Sequence, residues 1–204
     1  ESVPMESTFD EVLADLRLLA IDMDSTLVTI ESIDEMGDVL GIKQQIAALT
    51  AQAMRGEIDY PESLRRRVAL LAGLEETALE RICEERMNLS PGAETLIRRC
   101  EDNGIRTLLV SGGFNFFTAW LKQRLGIDEV LSNVLEIDNG RLTGRVLGGI
   151  VDGNAKAAKL GAQIETLGAS REQAVAIGDG ANDIPMMSVA GVSVAYRAKP
   201  VGRE

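Results

Sequence analysis

The chain has 204 residues, room for one substantial core with a small appended unit, since domains usually run to roughly 100 to 150 residues. With 45% hydrophobic and 26% charged residues it has the composition of a folded globular protein, and its formal charge of −11 argues against nucleic acid or an anionic membrane surface as the main partner. Histidine is absent, which excludes Ser-His and Cys-His nucleophile pairs and histidine zinc sites and leaves proton transfer to carboxylates, lysine or water.

Starting at Glu1 rather than methionine, the chain reads as a processed fragment. The first element is Leu18-Leu19-Ala20-Ile21, a short continuous apolar run ending in Asp22, the pattern of a buried parallel strand that delivers a polar residue at its C-terminal edge. From about Ser32 to Met87 the patterns are helical only, stopped at Gly41, Gly56 and Gly73, which predicts an inserted helical cap. Ser90-Pro91-Gly92 then opens a helix with Leu96, Ile97 and Cys100 on one face, and Asn103-Gly104 stops it. Thr107-Leu108-Leu109-Val110 is a second strand running into Ser111-Gly112-Gly113. Phe117, Trp120, Leu121 and Leu125 mark the next helix, ended by Gly126. Residues Val134 to Val146 alternate apolar and polar around Asn139-Gly140, which predicts a small antiparallel hairpin. Leu160, Ile164 and Leu167 form another helical stripe before Gly168. Ala174-Val175-Ala176-Ile177 runs into Gly178-Asp179-Gly180, and a fourth apolar run, Val192-Ser193-Val194-Ala195, follows near the end.

Strands alternating with helices give an α/β fold, a doubly wound parallel sheet of Rossmann-like type that binds ligands outside the carboxyl ends of its strands. The expected division is a core of residues 1–31 and 88–204, an inserted cap of residues 32–87 and the small β-hairpin. No apolar run approaches the roughly 18 residues that span a bilayer, so no membrane partner and a cytoplasmic location are expected. Cys83 and Cys100 lie singly in helical patterns and read as reduced core fillers. Nothing in the residues decides between a monomer and a homodimer.

The chemistry gathers at strand ends. Asp22-Met23-Asp24-Ser25-Thr26 puts two carboxylates directly after the first strand, and phosphoryl transfer needs an oxygen nucleophile, a proton donor for the leaving alcohol and cations on the phosphoryl oxygens. Gly178-Asp179-Gly180-Ala181-Asn182-Asp183 adds two more after another strand. Four acids on one sheet edge repel unless a cation sits among them, and oxygen-only ligands point to magnesium. Ser111 and Gly112 can cradle phosphate oxygens at a helix entrance, and Lys156 can meet an anion. Each element alone has a plainer reading: a metal-binding or structural Asp pair, a glycine turn capped by Asn182, a solvated lysine.

In this order and after these strands, Asp22-Met23-Asp24-Ser25-Thr26, Ser111-Gly112-Gly113, Lys156 and Gly178-Asp179-Gly180-Ala181-Asn182-Asp183 resemble the haloacid-dehalogenase-like phosphatase superfamily over nearly the whole chain. The continuation Leu27-Val28 with Glu31, and Met54 and Ser63-Leu64-Arg65-Arg66-Arg67-Val68 in the cap, are similar to its phosphoserine phosphatases. The resemblance implies that Asp22 attacks phosphorus to form an aspartyl-phosphate and that Asp24 protonates the leaving serine oxygen and then activates water. It implies magnesium held by Asp22, the Asp24 backbone carbonyl and Asp179, with Asp183 in support. Ser111, Gly112 and Lys156 would bind the phosphoryl group and Asn182 order the site, while Glu31 meets the ammonium and Arg67 the carboxylate of phosphoserine under a lid that includes Met54. Otherwise the Arg65–Arg67 run reads as a solvated helix face and Met54 as core. The chain departs from the family by stopping at Glu204, soon after Ala198-Lys199-Pro200, where a further strand and helix are expected. Two rivals share parts of the pattern: a phosphotransferase that passes the group to another alcohol such as homoserine, and a receiver-like domain that merely accepts phosphate on aspartate.

Overall fold

The computed structural model describes residues 15–197; Glu1 and the segment Ala198 to Pro200 lie outside them. Six strands form one sheet: β1 (Leu18–Asp22), β2 (Arg106–Phe114), β3 (Glu129–Asp138), β4 (Arg141–Leu147), β5 (Ala174–Gly178) and β6 (Val192–Ala195). Their order is β4-β3-β2-β1-β5-β6, with only β4 antiparallel to its neighbour. The expected α/β sheet is therefore present in mixed form.

β1 is central and all five of its residues are buried. Because successive side chains of a strand point to opposite faces, Leu19 and Ile21 join one core and Leu18 and Ala20 the other. The chain leaves β1 towards β2 and β3 on one side and reaches β5 and β6 on the other. That reversal opens a crevice at the carboxyl ends of β1, β2 and β5, where Asp22, Ser111 and Asp179 stand.

The interval between β1 and β2 holds α1 (Ser32–Val39), α2 (Lys43–Met54), α3 (Tyr60–Ala69), α4 (Glu76–Glu85) and α5 (Ala93–Asp102). A bridge between Val28 and Leu89 marks where the chain leaves the sheet and returns, so α1 to α4 fill the stretch read as an insertion. Gly41, Gly56 and Gly73 all have positive φ (70°, 72° and 86°) in the turns that end these helices, a conformation glycine adopts without steric cost. Asp59 caps α3 by accepting from Glu62 N–H at 2.8 Å, with Pro61 in the first turn. Helices α6 (Asn115–Leu125), α7 (Gly153–Thr166) and α8 (Ile184–Val189) complete the layers.

The expected small hairpin is present but is part of the main sheet. β3 is one strand of 10 residues: Glu129 to Leu131 and Asn133 pair parallel with β2, and Val134 onwards pairs antiparallel with β4 around the Asn139-Gly140 turn. Its first half carries no strand signal in the sequence, because Glu129, Ser132 and Asn133 interrupt the apolar run. The free side of β4 meets the loop before α4: Gly73 N–H donates to Leu142 O at 2.8 Å, Leu142 N–H to Leu74 O at 2.9 Å, and Glu76 N–H to Gly140 O at 2.9 Å. β6 is the exposed edge, with Val192 and Val194 about two-fifths accessible. Cys83 and Cys100 are free and buried, their thiols pushed up to about 12 and about 11, first by burial and then by nearby carboxylates. No helix among the described residues is long and apolar enough to cross a membrane.

Candidate active site

Asp22 ends β1 only 4% exposed. Lys156 Nζ donates to its Oδ1 at 2.6 Å, and Thr26 Oγ1 lies 3.4 Å from its Oδ2. Lys156 itself is 1% exposed and also donates to Asp183 Oδ1 at 2.7 Å. Burial opposes its charge, but the two carboxylates outweigh burial and hold the ammonium well above its ordinary range. It sits in the first turn of α7, a position unfavourable to a cation, so its setting is these anions and not the helix dipole.

The acids show the cost of their crowding. Burial, against the Lys156 charge and with help from Asp183 and Asp179, pushes the Asp22 carboxyl up to about 7. Asp24 is held well above the carboxylate range by burial, Glu31 and Asp22, although Ser32 N–H and Ser32 Oγ donate to its two oxygens at 3.1 and 2.9 Å. A carboxyl held above its ordinary range keeps its proton more readily and so can serve as an acid.

Asp183 uses both oxygens. Oδ1 accepts from Lys156, and Oδ2 accepts from the backbone N–H groups of Asp179 and Gly180, both at 3.2 Å. Gly178 has no room for a side chain, because an added Cβ would run into Asp183. Carboxylate oxygens of Asp22, Asp179 and Asp183, all buried, lie within 4.8 Å of one another. Three oxygen donors from anionic groups, with one ammonium against them, suit a hard divalent cation. Asp24, the fourth acid expected there, directs its side chain to Ser32.

On the other side of Asp22, the last residues of β2 are glycine-dependent. A Cβ on Gly113 would come within 2.8 Å of Met23 Cε and 3.0 Å of Asp24 Oδ2, and one on Gly112 would meet the Tyr60 hydroxyl. Gly113 N–H donates to Ser111 Oγ at 2.8 Å.

Above these groups is a cavity of about 360 Å³. Asp22, Asp24, Ser111, Gly112, Asp179 and Asn182 line it from the sheet side, and Glu31, Met54, Tyr60, Ser63 and Arg67 from the helical side. Glu31 is fixed by Ser25 Oγ, which donates to its Oε1 at 2.7 Å; Ser25 takes the left-handed φ of 57° in the turn that makes this reach possible. Arg67 is buried, its Nε donates to Ser63 O at 3.3 Å, and its guanidinium forms no ion pair among the described residues. Burial accordingly lowers its pKa, with Tyr60, Asp34 and Glu31 only partly opposing. Met54 stands at the mouth, 81% exposed, and not in a core.

All the candidate side chains thus surround one cavity, except that Lys156 and Asp183 lie behind its wall, in contact with Asp22 and Asp179. The fold adds Tyr60, Ser32 and Asn133, which the sequence does not single out, and gives Ser25 and Thr26 of the first motif their contacts to Glu31 and Asp22. Asp59-Tyr60-Pro61 carries a legible helix start that places Tyr60 near Arg67, but nothing local marks Asn133.

A family model for haloacid dehalogenase-like hydrolases matches residues 19–188, and the chain belongs to that family. A phosphoserine phosphatase from Polaromonas sp. is 52% identical over 203 residues, which cover 97% of this chain and 86% of the relative. A phosphoserine phosphatase solved as a phospho-aspartyl intermediate analogue superposes with a TM-score of 0.84 at 37% identity, covering 92% of this chain and 90% of that one. A family hydrolase from Salmonella enterica serovar Typhi gives 0.88 at 39% identity, and there the match covers 92% of this chain but 65% of the other.

Proposed function

We propose that the protein hydrolyses O-phosphoserine to serine and phosphate through a phosphorylated Asp22. The observation that carries this is the single cavity with Asp22, Asp24 and Ser111 on its floor and Glu31 and Arg67 opposite. One wall suits a phosphoryl group and the other suits an ammonium with a carboxylate, the three charged groups that a phosphorylated hydroxy-amino acid joins, and phosphoserine is the smallest of these. The phosphoserine phosphatase relatives support the reading.

In the proposed reaction Asp22 attacks phosphorus, the bond from phosphorus to the serine oxygen breaks, and that oxygen takes the proton of Asp24. Asp24, now a carboxylate, takes a proton from water as the water attacks phosphorus, and Asp22 is returned. Lys156 holds Asp22 in place and offsets charge as the phosphoryl group arrives, and the Ser111 hydroxyl and the Gly112 amide receive phosphoryl oxygens. Magnesium fits the oxygen-only donor set: Asp22, Asp179 and the Asp24 backbone carbonyl would hold it, with Asp183 in support. When bound it would neutralise charge on the phosphoryl oxygens and the acids that face them. Asn182 lines the same floor and orders that loop. Residues 32–87 act as a cap over a core of residues 1–31 and 88–204, with Met54 and Tyr60 on its closing side; closure excludes water and completes the clamp.

The test is the clamp. Phosphoethanolamine offers the ammonium but no carboxylate, so phosphoserine should be preferred by a ratio of up to roughly 10⁴ in kcat/KM, less where a cap leaves water on Arg67. Arg67→Ala should bring the two constants together by lowering phosphoserine far more. An equal loss for both substrates would contradict the assignment of Arg67. Adding homoserine and looking for its phosphate ester separates hydrolysis from transfer to an alcohol.

A further inference from the structure

The carbonyl oxygen of Gly112 is where three parts of the molecule meet. Asn133, in β3 and 1% exposed, donates to it from Nδ2 at 2.7 Å, while its Oδ1 accepts from Val151 N–H at 2.8 Å. Tyr60 Oη reaches the same carbonyl from α3 at 3.3 Å. Val151 directly precedes Asp152, which caps α7 by accepting from Ala155 N–H at 2.8 Å, and Lys156 follows in the first turn. The β2–β3 ladder shifts register between Val110 and Phe114, and there a side chain bridges the strands.

A peptide unit is planar and trans, so a held Gly112 carbonyl fixes the direction of the Gly113 N–H on its far side. That N–H donates to Ser111 Oγ. A hydroxyl has one proton and two lone pairs; with one lone pair engaged by Gly113, its proton is directed elsewhere. Ser111 lines the cavity, so the phosphoryl oxygens are there to receive it. We infer that Asn133 is a positioning residue for phosphate binding: it clamps the Gly112–Gly113 peptide so that Ser111 presents its hydroxyl proton to the phosphoryl group. Asn133 does not line the cavity, and its effect passes through Ser111. The inference rests on the phosphatase reading for the identity of the anion.

A double-mutant cycle tests it, with parent, Asn133→Ala, Ser111→Ala and the double variant compared for phosphoserine kcat/KM and for inorganic phosphate binding by calorimetry. In the parent, Asn133→Ala should weaken both by about tenfold or more, since a charge-assisted contact loses its aim. In the Ser111→Ala background the same change should cost no more than about threefold, because residues acting as one unit are not additive. Equal factors in both backgrounds, or parental phosphate affinity in Asn133→Ala, would overturn the inference. If Asn133→Ala does not fold, Asn133→Leu, which keeps the branched shape and removes both hydrogen bonds, replaces it in the same cycle, and the same two results support or overturn the inference. A parent that binds inorganic phosphate yet does not turn over phosphoserine would count against the proposed substrate alone, since the calorimetric arm needs no turnover.

Discussion

Asp22 is pinned from two sides, by Lys156 Nζ at 2.6 Å on one oxygen and by Thr26 at 3.4 Å on the other, which aims a carboxylate into the cavity without a base to activate it. Its elevated pKa has a measurable consequence. With the carboxyl pushed up to about 7, mainly by burial, the metal-free protein carries a proton there at lower pH, and a divalent cation must displace it. Magnesium affinity should therefore rise with pH up to about 7 and level off above it, with close to one proton released per ion bound well below pH 7 and fewer as the pH rises; calorimetry in buffers of different ionisation enthalpy measures this. An affinity flat from about pH 6 to 8 would refute it. Asp24 makes a different claim. Its retained proton matters only when the leaving group is a poor one, so Asp24→Asn should lower phosphoserine turnover by about 10²- to 10⁴-fold and an aryl phosphate much less. Equal losses would remove its role as acid. These acids are legible as residues from their glycine and strand contexts. What stays hidden is the division of labour, because only the fold shows Asp183 committed to Lys156 and two backbone amides and Asp24 to Ser32.

At the scale of elements, α3 supplies much of the helical wall of the cavity: Tyr60 begins it, and Ser63 and Arg67 line the cavity from successive turns. Its start depends on the Asp59 cap, so Asp59→Ala should cost about 1 kcal/mol in denaturant unfolding, and much less if the helix is held by its packing alone. The Arg141–Glu75 ion pair is solvent-exposed on both partners and contributes little; what ties the hairpin to the α3–α4 loop is the set of backbone hydrogen bonds at Gly73, Leu142 and Glu76. Such pairing is invisible in sequence, where residues 73–76 and 140–142 are simply two turns. The helices, by contrast, are readable from their stripes and glycine stops, and the Asn139-Gly140 turn from its dipeptide. β3 is only half legible because a strand that changes partner midway carries polar residues at the change, and Asn133 sits at that point.

For the whole molecule, the sheet order matters more than any single motif. With β1 between β2 and β5, three loops far apart in sequence arrive at one edge, and the helices inserted after β1 return over it. The formal charge of −11 is no obstacle to an anionic substrate, since Lys156 and Arg67 supply positive charge locally, where the surrounding protein screens it least, and a divalent cation held by Asp22, Asp179 and Asp183 would add to it. The central claim is covalent chemistry at residue 22, and it can be tested on the protein in the act. Quenching the enzyme during phosphoserine turnover and reducing with borohydride converts an acyl phosphate on aspartate to homoserine. Peptide mass spectrometry should then find homoserine at position 22, dependent on substrate and absent in Asp22→Asn. A protein that turns over phosphoserine with residue 22 unmodified, or with the label at another carboxylate, would contradict the account.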